Sequence, residues 1–114
     1  MNRDPGTMLD IVLACRDIAE FIKAVDEYQF AANRLVRSAV IHQLLIVGEA
    51  TKRLSTEFRK QHPMLPWKKM AGMRDKLIHG YDQVDLDLVW SVATTEIPLL
   101  HDTLAPFIPD NDEA

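Results

Sequence analysis

Arg74, Asp75, His79 and Tyr81 fall within eight residues of one another in a chain otherwise short of catalytic side chains. Histidine titrates near neutrality, so His79 is suited to take a proton from a hydroxyl or return one to a leaving oxygen. Arginine stays charged and offers a planar fork to phosphate oxygens. Arg74 therefore suits both the binding of a phosphodiester and the extra charge of its pentavalent state. The pair needs no metal and no cofactor. If the attacking group is a ribose 2′-hydroxyl, the substrate is RNA, and the products are a 2′,3′-cyclic phosphate and a 5′-hydroxyl end.

Positioning these groups falls to a helix. Successive side chains on an α-helix turn by about 100°, so Asp75 and His79, four apart, share a face on which the carboxylate can orient the imidazole. Arg74 and His79, five apart, diverge by roughly 140°. A regular helix does not aim both at one atom, so a second copy of the helix or a local distortion has to close the site. Gly80 reads as the glycine that ends this helix, with Lys76 and His79 in its last turn, where cations are favoured. Tyr81 then leaves the helix beside His79.

Other chemistries fit less well. The chain has no Glu-x-x-His pair of the di-iron bundles, no His-Glu-x-x-His and no cysteine pair. His101-Asp102 resembles a metal-binding His-Asp step, but it lies in the last helix with little chain after it. His42 and His62 have no acid or arginine at a telling spacing and read as packing and surface residues. The single cysteine, Cys15, falls at a core-spaced position and reads as a small buried hydrophobe.

A length of 114 residues and 47% hydrophobic content imply one domain with a single core and apolar surface to spare for a partner. No signal segment is visible and no apolar run approaches the roughly 18 residues of a membrane span, so a soluble, cytoplasmic protein is expected. A net charge of −4 argues against a broad, sequence-independent nucleic-acid binder. Two basic patches stand out from the acidic whole: Lys52, Arg53, Arg59 and Lys60 around Glu57, and Lys68, Lys69, Arg74 and Lys76 around Asp75. Lys68, Lys69 and Lys76 are the candidate RNA-binding lysines.

Taken in order, the chain reads as all-α. Thr7 with Asp10 resembles a capping box that starts a first helix running to about Asp26. Tyr28-Gln29-Phe30 reads as a connection. A long second helix carries Val36, Val40, Leu44, Val47, Leu54 and Phe58 on one stripe. Gly48 inside it costs on the order of 1 kcal/mol relative to alanine, which implies close approach of another backbone. Glu49 beside it is either a surface charge or a supporting group near the motif. His62 to Pro66 breaks the helix, Pro66 starts a short turn to Met70, and the motif helix follows. Asp85 caps a last helix with Leu86, Trp90, Ala93, Ile97, Leu100 and Leu104 on its stripe, kinked at Pro98. The fold class is an antiparallel bundle of four or five helices, a single domain with an ordered core over about residues 5–107 and an acidic C-terminal tail.

The chain resembles the HepT-like toxins of the HEPN superfamily. Their signature of Arg, four to six residues, then His is matched by Arg74-x4-His79, followed by Gly80-Tyr81. Leu45-Ile46-Val47-Gly48-Glu49-Ala50 is similar to the family's Gly-Glu-Ala helix, Pro66-Trp67 to its Pro-Trp turn, and Val84-Asp85 with Val89-Trp90 to the segment after the motif. The likeness covers about residues 8–105. It implies a HEPN-like helical bundle that forms a homodimer, with Arg74 and His79 of both subunits lining the interface as the catalytic pair and Asp75 supporting them. It also implies a metal-independent endoribonuclease, the toxin of a type VII-like toxin–antitoxin pair. Its partner would be a minimal nucleotidyltransferase antitoxin that transfers AMP to Tyr81. Each AMP adds a bulky anion beside Arg74 and His79, blocking RNA and offsetting the arginine's charge. The alternative is a non-catalytic helical partner subunit for such a nucleotidyltransferase. Two positions depart from the commoner family form: Asp75, often Asn, and Gly80, often Glu.

Overall fold

The first helix, α1, runs over Asp4–Ile22, and the computed structural model describes residues 3–80 and 83–109. It begins at Asp4 rather than between Thr7 and Asp10, because Pro5 occupies an early helical position where its missing N–H costs nothing. Thr7 is consequently inside the helix and buried. Asp4 is buried as well. Its carboxylate accepts the backbone N–H of Ser55 at 2.9 Å and the Ser55 hydroxyl at 2.6 Å, stapling the start of α1 to a later turn.

The stretch read as a connection is a short helix, α2, Glu27–Ala32, closed by a capping box. Asp26 accepts from the Gln29 backbone and the Gln29 side chain accepts from the Asp26 backbone. This turn delivers Phe30 fully into the core, where it meets Trp90 at 5.2 Å between ring centres. Its helix is only six residues long, too short for periodicity to reveal it.

The long second helix ends earlier than its apolar stripe. α3 spans Arg34–Arg53, Leu54 turns out of it, and Ser55 caps a separate α4, Thr56–Gln61, by accepting from the Phe58 N–H. Leu54 and Phe58 still face the core, so the stripe continues across the break. Pro66 does not start an isolated turn. It caps one helix, α5, Trp67–His79, which carries both the Pro-Trp turn and the motif. The indole N–H of Trp67 donates to the Arg59 and His62 carbonyls, fastening the loop that precedes α5.

Asp85 caps α6, Leu86–Ser91, as its position implied. The rod then widens into a π-helical turn over Val92–Glu96 and continues as α7, Ile97–Leu104, and a 3-10 turn, Ala105–Phe107. The Ile97 N–H reaches back to the Val92 carbonyl, one residue beyond the α-helical partner. Pro98 thus falls in the first turn of α7, where no N–H is needed, and the rod passes through it.

Among the described residues the molecule is an all-α bundle of three long helices and the α6–α7 rod, with α2 and α4 as short connecting helices. α1 packs on α3 and on α7, and α3 packs on α5. Ile11, Ile18, Phe30, Leu44, Val47, Met70, Ile97, Leu100 and Leu104 close the core, each shielded almost completely from water. Burying side chains of this size contributes about 1.5–3 kcal/mol apiece before entropy is counted. No described helix is long and apolar enough to cross a membrane.

Candidate active site

Gly48 is what lets the motif helix sit where it does. A Cβ on this residue would overlap Arg74 Cβ and lie 3.0 Å from the Met70 carbonyl oxygen, so α5 can approach α3 this closely only over a glycine. The close approach lays the Arg74 side chain along α3. There its Nε forms an ion pair with Glu49 Oε1 at 2.9 Å, while Nη1 donates to Asp75 Oδ1 at 3.1 Å. The Arg74 side chain is 27% exposed. Glu49 is therefore more than a surface charge, although half of its side chain remains in water.

Asp75 makes a different contact from the one its spacing to His79 suggested. Its Oδ1 accepts from Lys52 Nζ at 2.8 Å as well as from Arg74. Lys52 first, and Arg74 after it, hold the Asp75 carboxyl below its ordinary value. Among the described residues no hydrogen bond joins Asp75 to His79, whose ring is exposed at the C-terminal end of α5. The helix ends as expected at Gly80, whose N–H donates to the Lys76 carbonyl at 2.8 Å. Its φ of −119° is not left-handed, so the backbone does not demand a glycine there.

Arg74 and His79 line different grooves, as the angular divergence of positions five apart implied. Arg74 opens on a groove of about 400 Å³ with His42, Leu45, Ile46 and Ile78. His79 opens on another, of about 430 Å³, with Lys76, Gln83, Asp85 and Leu88. A third groove, of about 480 Å³, is lined by Lys68, Lys69, Gly72 and Lys76. Lys68, Gly72, Lys76 and His79 recur at fours and threes, so they form one continuous stripe along α5. Lys69 at its edge is tied to Glu96 of the π turn at 3.2 Å. Tyr81 lies outside the described residues.

Sequence reasoning weighed Glu49 but gave Lys52 no place in the site. Lys52 follows Glu49 by three on α3, which puts the two on adjoining faces. The sequence signal was therefore present, but nothing in it says that this face meets the motif.

A further groove, of about 820 Å³, lies away from these residues, between α1 and the α6–α7 rod. His101 is at its edge. Arg16 Nε donates to His101 Nε2 at 3.2 Å, which makes Nε2 the acceptor and leaves Nδ1–H to donate to Asp102 at 3.0 Å. With both ring nitrogens engaged, His101 serves as a strut between helices. Cys15 on the groove floor is pushed up to about 12 by burial and is not a nucleophile. Among the described residues no three His, Cys, Asp or Glu side chains gather as a metal-ligand group.

Comparison with known proteins finds relatives that match most of the chain. A protein of Thermococcus cleftensis named "Probable ribonuclease HepT" is 41% identical over 91 residues, covering 74% of this chain and 83% of that one. Two proteins of Methanocaldococcus jannaschii that carry "RNase" in their names are 39% identical over 98 residues and 40% identical over 106 residues. The first match covers 85% of this chain and 90% of the relative, the second 93% and 91%. No solved structure matches significantly. The model of the ribonuclease HepT-like family matches residues 11–107, from the first core turn of α1 through the whole motif helix to the end of the last, and the chain belongs to that family.

Proposed function

We propose that the protein is a metal-independent endoribonuclease toxin whose active site is completed by a second copy of the chain. The observation that carries this reading is the separation of Arg74 and His79 into two grooves of one subunit. In a dimer, Arg74 of one subunit and the partner's His79 can converge on one phosphodiester. The groove at Arg74 supports this: Leu45, Ile46 and Ile78 leave apolar surface around a charged group, with Ile78 itself 45% exposed.

His79 takes the proton from the ribose 2′-hydroxyl, the 2′-oxygen bonds to phosphorus, and the bond from phosphorus to the 5′-oxygen breaks. That oxygen receives a proton from the imidazolium of the same or the partner histidine. Arg74 balances the charge that builds on the non-bridging oxygens. The stripe from Lys68 through Lys76 to His79 supplies a path for the strand on either side of the cut. The regulating partner is a nucleotidyltransferase that transfers AMP to Tyr81, next to this stripe in sequence. The charge network at Arg74 favours one second reading, a non-catalytic partner subunit of that nucleotidyltransferase, because Glu49 and Asp75 offset the two cations there.

The test is cleavage of a mixed RNA pool in EDTA by the native protein, His79→Ala and Arg74→Ala. Cutting that survives chelation and is lost in both variants while dimers persist is the expected result. A folded, unmodified native protein that leaves the pool intact would overturn the nuclease reading in favour of the partner subunit. Tyr81→Phe should keep its activity and escape the partner. AMP found elsewhere on that variant by mass spectrometry would place the target at another residue.

A further inference from the structure

Asp75 Oδ1 is an anionic oxygen gripped by two cations from different helices, Lys52 of α3 and Arg74 of α5. That is the arrangement a phosphate oxygen would meet, built here around a carboxylate of the chain itself. We infer that Lys52 and Arg74 form a two-cation cradle for an RNA phosphate, with Lys52 a phosphate-binding residue and Asp75 a positioning residue that holds the two cations at a common spacing. The inference rests on the nuclease reading for its substrate.

The donor count leaves room for the ligand. Lysine has three N–H donors, and the hydrogen bond to Asp75 uses one. Arginine has five, of which Nε faces Glu49 and one on Nη1 serves Asp75. Both side chains keep solvent access, 39% for Lys52 and 27% for Arg74, so the unused donors remain reachable. The same network supplies the preorganisation. Glu49 fixes the inner edge of the guanidinium, and Asp75 ties its outer edge to Lys52, so little side-chain freedom is left to lose when a phosphate arrives. The four charges sum to zero, so binding relies on directed hydrogen bonds from Lys52 and Arg74 more than on a net positive field.

A lysine serving only as a counter-charge for Asp75 would look the same in a static picture, and two backgrounds separate the roles. The full-length protein is assayed as native, Lys52→Gln, Lys52→Arg, Asp75→Asn and the double variant Lys52→Gln/Asp75→Asn. Two readouts are taken: kcat and KM for RNA cleavage, and the affinity for a 2′-deoxy-substituted strand that binds without being cut. Lys52→Gln is expected to weaken binding of the uncleavable strand about tenfold. It should also lower the salt slope of that binding by about 0.7, the value of one phosphate contact on a single strand. Lys52→Arg is expected to recover most of both. The loss from Lys52→Gln should persist when Asp75 is already Asn.

Binding and salt slope unchanged in Lys52→Gln would overturn the assignment. So would a loss that disappears in the Asp75→Asn background, because Lys52 would then act only through the carboxylate. Native protein that binds the strand but cuts no RNA would defeat the nuclease reading alone, and the Lys52→Gln binding ratio would still decide the cradle. Native protein that binds no strand defeats both.

Discussion

Replacing Gly48 with alanine separates two physical effects of opposite sign. In the middle of an α-helix, alanine is favoured over glycine by about 1 kcal/mol, so a Gly48 that merely sat in α3 would gain stability from the change. The structure requires the reverse. The new Cβ would overlap Arg74 Cβ and stand 3.0 Å from the Met70 carbonyl and 3.1 Å from Arg74 Cγ. Two of these three atoms are a backbone oxygen and a Cβ, which no rotamer change can move away. α3 and α5 must therefore part, and overpacking of this kind costs about 1–3 kcal/mol. Set against the propensity gain, the net loss is up to about 2 kcal/mol, or up to several degrees in melting temperature for a domain of this size. Gly72 provides the control: nothing lies within 4 Å of a Cβ built there, so Gly72→Ala in α5 should gain up to about 1 kcal/mol. Thermal and urea unfolding of the two variants beside the native protein measure both signs. Gly48→Ala melting above the native protein would refute the close approach and the placement of Arg74 that depends on it.

Asp4→Ala should cost about 2 kcal/mol in urea unfolding, because it leaves the Ser55 N–H and hydroxyl without their buried acceptor; a loss below about 0.5 kcal/mol would show that water replaces the carboxylate. Asp75 is held below its ordinary value of 3.8 by Lys52 and Arg74, so its contribution to stability is present above that value and lost as pH falls through the lower folded one. The difference in melting temperature between native protein and Asp75→Asn should accordingly stay constant from neutrality down to about pH 4 and shrink below it; a difference that instead shrinks between pH 7 and 5 would assign the effect to another group. Trp67→Phe should cost about 1–2 kcal/mol by losing the indole N–H shared by the Arg59 and His62 carbonyls, and unchanged unfolding would show that these carbonyls find other donors.

Long periodic stretches were legible in the sequence, and short or broken ones were not. The stripes of α3 and the last rod place their residues in the core or against it, because three- and four-residue spacing over several turns has one physical reading. α2 was missed although Asp26 and Gln29 form its capping box, since a six-residue helix offers too few turns for a stripe. The break at Leu54 was hidden because Leu54 and Phe58 keep the apolar phase across it, and only Ser55, a cap without a preceding loop signal, marks it. The start of α1 was placed too late because Thr7-x-x-Asp10 has the form of a cap while Pro5 had already begun the helix. At the site, the divergence of Arg74 and His79 and the close approach at Gly48 both follow from helix geometry and glycine alone. The partner of Asp75 does not. Two neighbours compete for one carboxylate, and the choice of Lys52 over His79 depends on where α3 lies, which no local spacing within α5 encodes.

The π turn of the last rod bears on which insertions and deletions the protein can absorb. It holds one residue more than the α-helical turn it replaces, so Val92 and Ile97 face the same core at a separation of five. Removing exposed Thr95 would draw that turn into an ordinary α-helix without rotating Leu100 and Leu104 away from the interior. The same deletion would carry Pro98 from a first turn into a helix interior, at a cost of about 3 kcal/mol. Length and composition are thus coupled at this one place. The shortened rod should unfold readily on its own and regain most of its stability when the proline is also replaced by alanine, so the deletion would be tolerated only together with that replacement.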